Sequence, residues 1–254
     1  MTTTKRQSVR SLLPAGVHCI DCPIRGRAVC SQANAEDLER LNAIKTYRSF
    51  APGQEILAAG EATETIGTVV EGVVALSKTM FDGRRQMVGL MFPSDFLGRP
   101  CSPIAPYDAV AVTPVKLCLF VRARFERLLM ETPAIERRLL EITLDELDAA
   151  RDWMLLLGRK SAREKIASFL VILARRSAQA KNVTAADGLC FELPLTREAM
   201  ADYLGLTIET VSRQISHLKK AGVIRLIDIR TVQVPDFAVL LDVAGEDADG
   251  GMVV

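Results

Sequence analysis

Apolar residues recur every three or four positions between Leu195 and Ala221, in two short runs parted by a glycine. Ala199, Met200, Tyr203 and Leu204 form the first stripe; Ile208, Val211, Ile215 and Leu218 form the second. That spacing places each set on one helix face, so the stretch predicts two helices joined by a tight turn. Thr196 and Thr207 stand where an N-cap hydroxyl accepts from free backbone N–H groups. Gly205 stops the first helix, because glycine enters the left-handed conformation that a helix end often needs. Opposite the second stripe lie Glu209, Ser212, Arg213, Gln214, Ser216 and Lys219. An exposed Glu accepts from cytosine N4, an Arg forks onto guanine O6 and N7, and a Ser takes a phosphate or base edge. The pattern is that of a DNA-reading helix-turn-helix, with Thr207, Glu209, Ser212 and Arg213 as the candidate DNA-binding residues.

Upstream the texture changes twice. Ala35, Leu38, Leu41 and Ile44 line one face of a short helix from Asn34 to Ile44. From Tyr47 to Val121 short apolar runs are broken by glycines, with turn signals at Pro52-Gly53, Gly60, Gly72 and Asp82-Gly83. Strands so spaced predict a small antiparallel barrel or jelly roll. A short helix follows from Arg124 to Met130. A long one runs from about Ala134 to Leu157 and ends at Gly158. Leu140, Leu147 and Met154 repeat at one heptad position of that helix, and Thr143, Ala150 and Leu157 at another. With Glu141, Glu146, Asp148 and Arg151 flanking them, these six residues read as the seam of a short coiled coil, hence a homodimer. Arg163–Ala180 predicts another amphipathic helix, and Leu189–Leu193 a short strand. Val223–Ile227 and Thr231–Val234 predict a wing beside the DNA. The tail after Gly245 is acidic and glycine-rich, the composition of disorder.

The fold class is therefore α+β, in five segments. These are an N-terminal arm (1–33), a β-barrel sensor domain (34–132), a dimerisation helix (133–158), a winged helix-turn-helix (159–242) and a disordered tail (243–254).

Charge sharpens this picture. The 254-residue chain has net charge +1, but Arg159–Pro235 carries thirteen Lys/Arg against seven Asp/Glu. A basic C-terminal region balanced by an acidic remainder is an electrostatic footprint for double-stranded DNA. The N-terminus has Lys5, Arg6 and Arg10 but no apolar run after them, and no segment reaches the length of a membrane span. A cytoplasmic protein with no membrane partner is expected, its cysteines reduced or metal-bound. No His lies near a plausible nucleophile, no phosphate-cradling loop is present and no paired carboxylates stand out, so an enzyme is not expected.

Three of the six cysteines, Cys19, Cys22 and Cys30, fall within twelve residues. A C-x2-C pair can bite one metal centre, and Pro23 and Gly26 let the loop wrap. Thiolates at this spacing suit an iron–sulfur cluster or zinc, or act as a thiol switch. Cys101, Cys118, Cys190 and His18 are the candidates for a fourth ligand.

Taken together, barrel, dimer helix and C-terminal winged helix-turn-helix resemble the cyclic-AMP receptor protein family of bacterial transcription regulators. The likeness spans about residues 19–241. It is greatest to the branch of oxygen-sensing fumarate–nitrate-reduction regulators. Four stretches carry it: Cys19–Cys30, VKLCLF around Cys118, WMLLLGRKSAREKIASFL from Trp153 to Leu170, and GLTIETVSRQI from Gly205 to Ile215.

The resemblance implies a [4Fe-4S] cluster on Cys19, Cys22, Cys30 and Cys118. It also implies a palindromic operator with TTGAT-like half-sites and contact with RNA polymerase, for which the Asp82–Arg85 hairpin is a candidate surface. The nucleotide-binding members place a Glu where Arg99 stands here, and the phosphate-gripping Arg is gone near Tyr107-Asp108, so no cyclic nucleotide is expected. Cys101 and Cys190 have no implied role and read as small core residues. The alternative is a zinc or thiol-switch DNA-binding regulator without a cluster. Haem in the barrel would lack an axial histidine, since His18 and His217 lie in the arm and the recognition helix.

Overall fold

The computed structural model describes residues 17–181 and 183–246. They form two compact units, one of the residues up to Leu76 with Leu90–Leu139, the other of Ser77–Gly89 with the residues from Leu140 onward.

The first unit opens with a 3-10 turn at Cys19–Asp21. The Asn34 side chain accepts from Asp37 N–H at 2.8 Å and so starts helix α1, Ala35–Ile44, which buries Leu38 and Leu41. Eight strands follow along the chain, β4 and β5 running into the Ser77–Gly89 stretch counted with the second unit: β1 (Lys45–Phe50), β2 (Glu55–Leu57), β3 (Thr65–Glu71), β4 (Val74–Thr79), β5 (Arg85–Met91), β6 (Phe96–Leu97), β7 (Asp108–Ala111) and β8 (Val115–Val121). They make two four-stranded sheets, ordered β1-β8-β3-β6 and β2-β7-β4-β5. Phe50, Val69, Val74, Leu76, Met91, Leu97, Leu117 and Leu119 fill the space between them. Gly72 turns β3 into β4 at φ 85°, and a Cβ there would sit 2.1 Å from the Pro114 carbonyl oxygen, so only glycine fits.

The period of two along β8 is decisive. Val115, Leu117 and Leu119 point into the core, which sends Lys116, Cys118 and Phe120 to the opposite face. Phe120 stacks there on Phe125, ring centroids 5.0 Å apart, and so docks helix α2, Arg122–Glu131. Helix α3, Pro133–Arg159, follows. It runs through Gly158 instead of ending there, because one glycine costs a helix only about 1 kcal/mol.

In the second unit a capping box at Ser161 and Glu164 starts α4, Ala162–Ala180. Strand β9 (Leu189–Glu192), α5 (Arg197–Leu204), α6 (Ile208–Lys220), β10 (Arg225–Leu226), β11 (Thr231–Val234) and α7 (Phe237–Ala244) complete it. Phe169, Leu170, Met200, Leu204, Val211 and Leu218 are fully buried. Each such side chain contributes about 1.5–3 kcal/mol by leaving water.

Three expectations change. Ile208 is 45 % exposed and not on the buried face, because it is the first residue of α6 and precedes the helix's packed turn. Cys101 and Cys190 are exposed, not core. Cys101 sits in a loop at φ 62°, its N–H held by Glu126, while on β9 the alternate residue Phe191 takes the core side. Order also persists past 243: α7 reaches Ala244, and the buried Glu246 carboxylate meets Arg175 at 3.2 Å and Lys160 at 3.7 Å. The remaining tail, 247–254, and the arm's first sixteen residues lie outside the described residues. Among the described residues no helix is long and apolar enough to cross a membrane.

Candidate functional site: a four-thiol site and a DNA-reading face

Cys118 faces away from the barrel core, and its cross-strand partners are Tyr47 on β1 and Thr68 on β3. Residues so paired share a face, so one row across three strands reads Tyr47, Cys118, Thr68. The arm brings three more thiols to that row. Cys19 is buried and its N–H reaches Asn42 Oδ1 of α1 at 3.3 Å; Cys22 and Cys30 are half-buried. Turns closed by Arg25 N–H to Cys22 O, and by Ala28 N–H to Ile24 O, wrap the loop between them.

The four thiols feel one another. Burial raises Cys118 far above the ordinary thiol range, and Cys19, Cys22 and Cys30 raise it further. Cys30 is pushed up to about 11, by burial first and then by Cys22 and Cys19. Cys19 is raised by burial, against the pull of Lys45. Cys19, Cys30 and Cys118, whose ionisation is opposed in this way, become thiolates together only when positive charge sits among them. Yet among the described residues no three His, Cys, Asp or Glu side chains converge tightly enough to hold a single metal ion.

A shell surrounds the thiols that the pattern of cysteines did not reveal. Lys45 Nζ lies 3.5 Å from Cys19 Sγ and also donates to the Val17 carbonyl. Two ammonium groups lie near the Tyr47 ring, Lys45 at 5.3 Å and the buried Lys116 at 5.1 Å from its centroid. Thr68 Oγ1 is buried and has no hydrogen-bond partner among the described residues. An orphaned hydroxyl beside Cys118, and a cation beside Cys19, are the groups that would donate to anionic sulfur. The residues present therefore fit a sulfur-bound cluster. The strand register was the signal that could have found them: period two on β8 and β1 puts Lys116, Tyr47 and Lys45 near Cys118 once the pairing is known.

The arm is also tied to α3. Arg138 Nη2 donates to the Arg27 carbonyl, inside the Cys22–Cys30 loop, at 3.1 Å. Beyond that point α3 carries an apolar row into solvent: Leu140, Leu144, Leu147 and Met154 are all exposed, Met154 by 65 %. Thr143 and Ala150 are exposed beside it and Leu157 is half-buried.

In the second unit α5 and α6 form the predicted helix-turn-helix. Thr196 accepts from Ala199 N–H and Thr207 from Thr210 N–H, each at 3.2 Å. Gly205 adopts the left-handed conformation, φ 62°, between them. Val211, Ile215 and Leu218 hold α6 by its buried face. Glu209, Ser212 and Arg213 are thereby left exposed together. The Thr207 oxygen serves the cap, so any contact it makes with DNA uses what the cap leaves free. The last turn carries His217, Lys219 and Lys220. Beside it, β9, β11 and β10 form a three-stranded sheet. Asp228 turns its tip by accepting from Arg230 N–H at 2.8 Å and Thr231 N–H at 2.7 Å, bonds that hold its carboxyl below the usual range.

A double-sheet barrel, a long helix with an exposed apolar row and a helix-turn-helix with an adjacent hairpin define a DNA-binding transcription regulator, not an enzyme. Comparison with known proteins agrees. Residues 164–243 match the Crp-like helix-turn-helix domain and residues 47–132 the cyclic nucleotide-binding domain. The chain is 55 % identical over 243 residues to the transcriptional activator protein FnrL of Cereibacter sphaeroides, covering 95 % of this chain and 98 % of that one. It is 41 % identical over 222 residues to the nitrogen fixation regulation protein FixK of Bradyrhizobium diazoefficiens, covering 87 % and 92 %. The solved structure of FixK2 from Bradyrhizobium japonicum superimposes with a TM-score of 0.71 at 32 % identity, over 81 % of this chain and 98 % of that one. The chain belongs to the Crp/FNR family of transcription regulators.

Proposed function

We propose that this protein is an oxygen-responsive transcription regulator. Cys19, Cys22, Cys30 and Cys118 hold a [4Fe-4S] cluster, and the homodimer binds palindromic TTGAT-like sites controlling genes of low-oxygen metabolism in the cytoplasm. The observation that carries the reading is the gathering of the arm's Cys19, Cys22 and Cys30 around Cys118 on the outer face of β8, where all three act on its thiol. Zinc needs all its sulfurs about 2.3 Å from one point. Relatives named FnrL, FnrA and Anr support the same branch.

When bound, the cluster supplies an oxygen-labile cross-link between arm and β8. The remaining work is done by the chain. Lys45, Tyr47 and Thr68 surround the sulfurs. Arg138 holds the loop that carries them against the start of α3. Leu140, Leu147 and Met154, with Thr143, Ala150 and Leu157 beside them, pair with a second copy. That pairing sets two α6 helices for half-sites about 10 base pairs apart. RNA polymerase is the partner of the DNA-bound dimer, with the Asp82–Arg85 hairpin as its candidate contact.

The test is anaerobic purification followed by air. A brown protein with iron and sulfide, whose colour bleaches in air as the dimer dissociates on a sizing column, is the expected result. A colourless zinc protein, dimeric in both conditions, sinks the cluster and leaves the DNA-binding half standing.

The dimer seam has its own test. Leu147→Glu places two carboxylates face to face in the paired helices. An unpaired buried charge costs roughly 3–5 kcal/mol. The anaerobic dimer should therefore weaken by about a hundredfold or more in sedimentation. An unchanged dimer would place the seam elsewhere.

A further inference from the structure

Trp153 is the only tryptophan of the chain. It projects from the last third of α3 and lies flat on Tyr203 of α5, with ring centroids 4.1 Å apart and planes 19° apart. Phe169 of α4 meets the same tyrosine edge-on, at 5.8 Å and 72°. Tyr203 is buried, and three residues further along Leu206 enters the turn that leads into the recognition helix. Three helices thus meet at one aromatic stack, and one of them is the helix whose exposed row faces a second copy.

Nothing else among the described contacts gives Trp153 a role. Its indole N–H is buried and makes no hydrogen bond among the described residues. A polar group left unpaired inside costs free energy, so an indole here is not explained as a hydrogen-bonding residue. A flat aromatic face is what the site uses. Its neighbours Met154 and Leu155 point to solvent, so α3 presents one side to a partner and the other to α5. Stacked rings resist sliding and tilting more than aliphatic contacts do, because offset faces are held by their quadrupoles as well as by buried area.

We propose that Trp153 is a positioning residue for DNA recognition. Its stack on Tyr203 fixes the tilt of the DNA-reading module on the dimer helix, and so sets the spacing of the two recognition helices. The residue touches no base. It acts through Tyr203 and α5 on where α6 points. The inference rests on the dimeric, palindrome-binding reading above.

The experiment compares wild type, Trp153→Leu and Trp153→Phe as anaerobically prepared dimers. Binding is measured by fluorescence anisotropy on three duplexes: a palindrome, a single half-site, and the palindrome with one base pair added between its halves. Trp153→Leu keeps an apolar side chain and loses the face. It should bind the palindrome at least about tenfold more weakly while half-site binding stays within about twofold. It should also lose most of the wild type's discrimination against the lengthened spacer, because a loose joint tolerates either separation. Trp153→Phe keeps the face and should stay within about threefold of wild type on every duplex.

A merely structural role would weaken all duplexes alike and lower the unfolding temperature, without changing the spacer preference. That result overturns the proposal, as does a Trp153→Leu protein indistinguishable from wild type. Should Trp153→Leu fail to fold, Trp153→Phe and the wild type's own emission decide. Selective excitation of the single tryptophan must show the same quenched, stacked environment with and without palindrome; a shift to a solvent-exposed spectrum on binding overturns the proposal. A wild type that binds half-site and palindrome equally defeats the dimer reading and the joint with it. A wild type that prefers the palindrome while Trp153→Leu matches it defeats the joint alone.

Discussion

Cys30→Ser and Cys118→Ser should each purify without colour under anaerobiosis, whereas Cys101→Ser and Cys190→Ser should carry as much iron and sulfide as wild type, about four of each per chain. The expectation follows from where the sulfurs are. Cys118 lies on the outer face of β8 among the arm thiols, and Cys30 is raised by Cys22 and Cys19. Cys101 and Cys190 are exposed, and neither is among the groups that raise Cys19, Cys30 or Cys118. Losing an outer-shell partner typically costs roughly 10–100-fold in metal affinity, and losing a ligand costs more. Iron content of the two ligand variants should therefore fall below about a tenth of wild type. Serine nearly conserves the volume of cysteine, so circular dichroism should show a folded chain. Full iron in Cys118→Ser would place the fourth ligand elsewhere. Because the free thiols are raised, loading should also release protons and strengthen with rising pH: the metal-free state holds protons on Cys30 up to about pH 11, and the loaded state does not.

Arg213→Ala should weaken palindrome binding by about 1–3 kcal/mol per half-site, roughly 5- to 150-fold, and relax base preference at one position of each half. Arg213 is exposed on α6 beside Glu209 and Ser212, with the buried residues Val211, Ile215 and Leu218 holding the helix from behind. Nothing in the packing needs its guanidinium, so the folded state should not change. A Lys219→Ala variant gives the contrast. A residue that only meets phosphate lowers affinity for every sequence and reduces the salt dependence by about one ion. Binding selections on half-sites randomised at one base pair would separate the two. An unaltered preference in Arg213→Ala would remove it from base readout.

The helix-turn-helix was legible from residues alone because its rules are local. Thr196, Gly205 and Thr207 act within three or four positions of themselves, and both apolar stripes repeat at the helical period. The exception, Ile208, shows the limit. A first-turn residue belongs to the stripe by spacing but lies beyond what the neighbouring helix covers. The barrel was legible as a class through its glycines and Asp82-Gly83, whereas the order of its strands was not. Order depends on pairings between residues as distant as Lys45 and Phe120, and no local pattern specifies them.

The thiol site divides in the same way. Cys19, Cys22 and Cys30 announce themselves by spacing, since a short loop must bring them together whatever the rest does. Cys118 is 88 positions beyond Cys30 and was assigned through family likeness alone. Its surroundings, Lys45, Tyr47, Thr68 and Lys116, are ordinary strand residues. They become a shell only because β1 and β3 flank β8 in one register.

By itself, then, the sequence determined the elements, which side of α6 is buried and which polar, and the grouping of three thiols in the arm, because each rests on interactions a few residues long. Tertiary structure alone decided which face of β8 carries Cys118, which groups surround it, how Arg138 reaches the arm, and that Trp153 lies on Tyr203. Those contacts join residues tens of positions apart, and only the packing of sheet and helices brings them within reach.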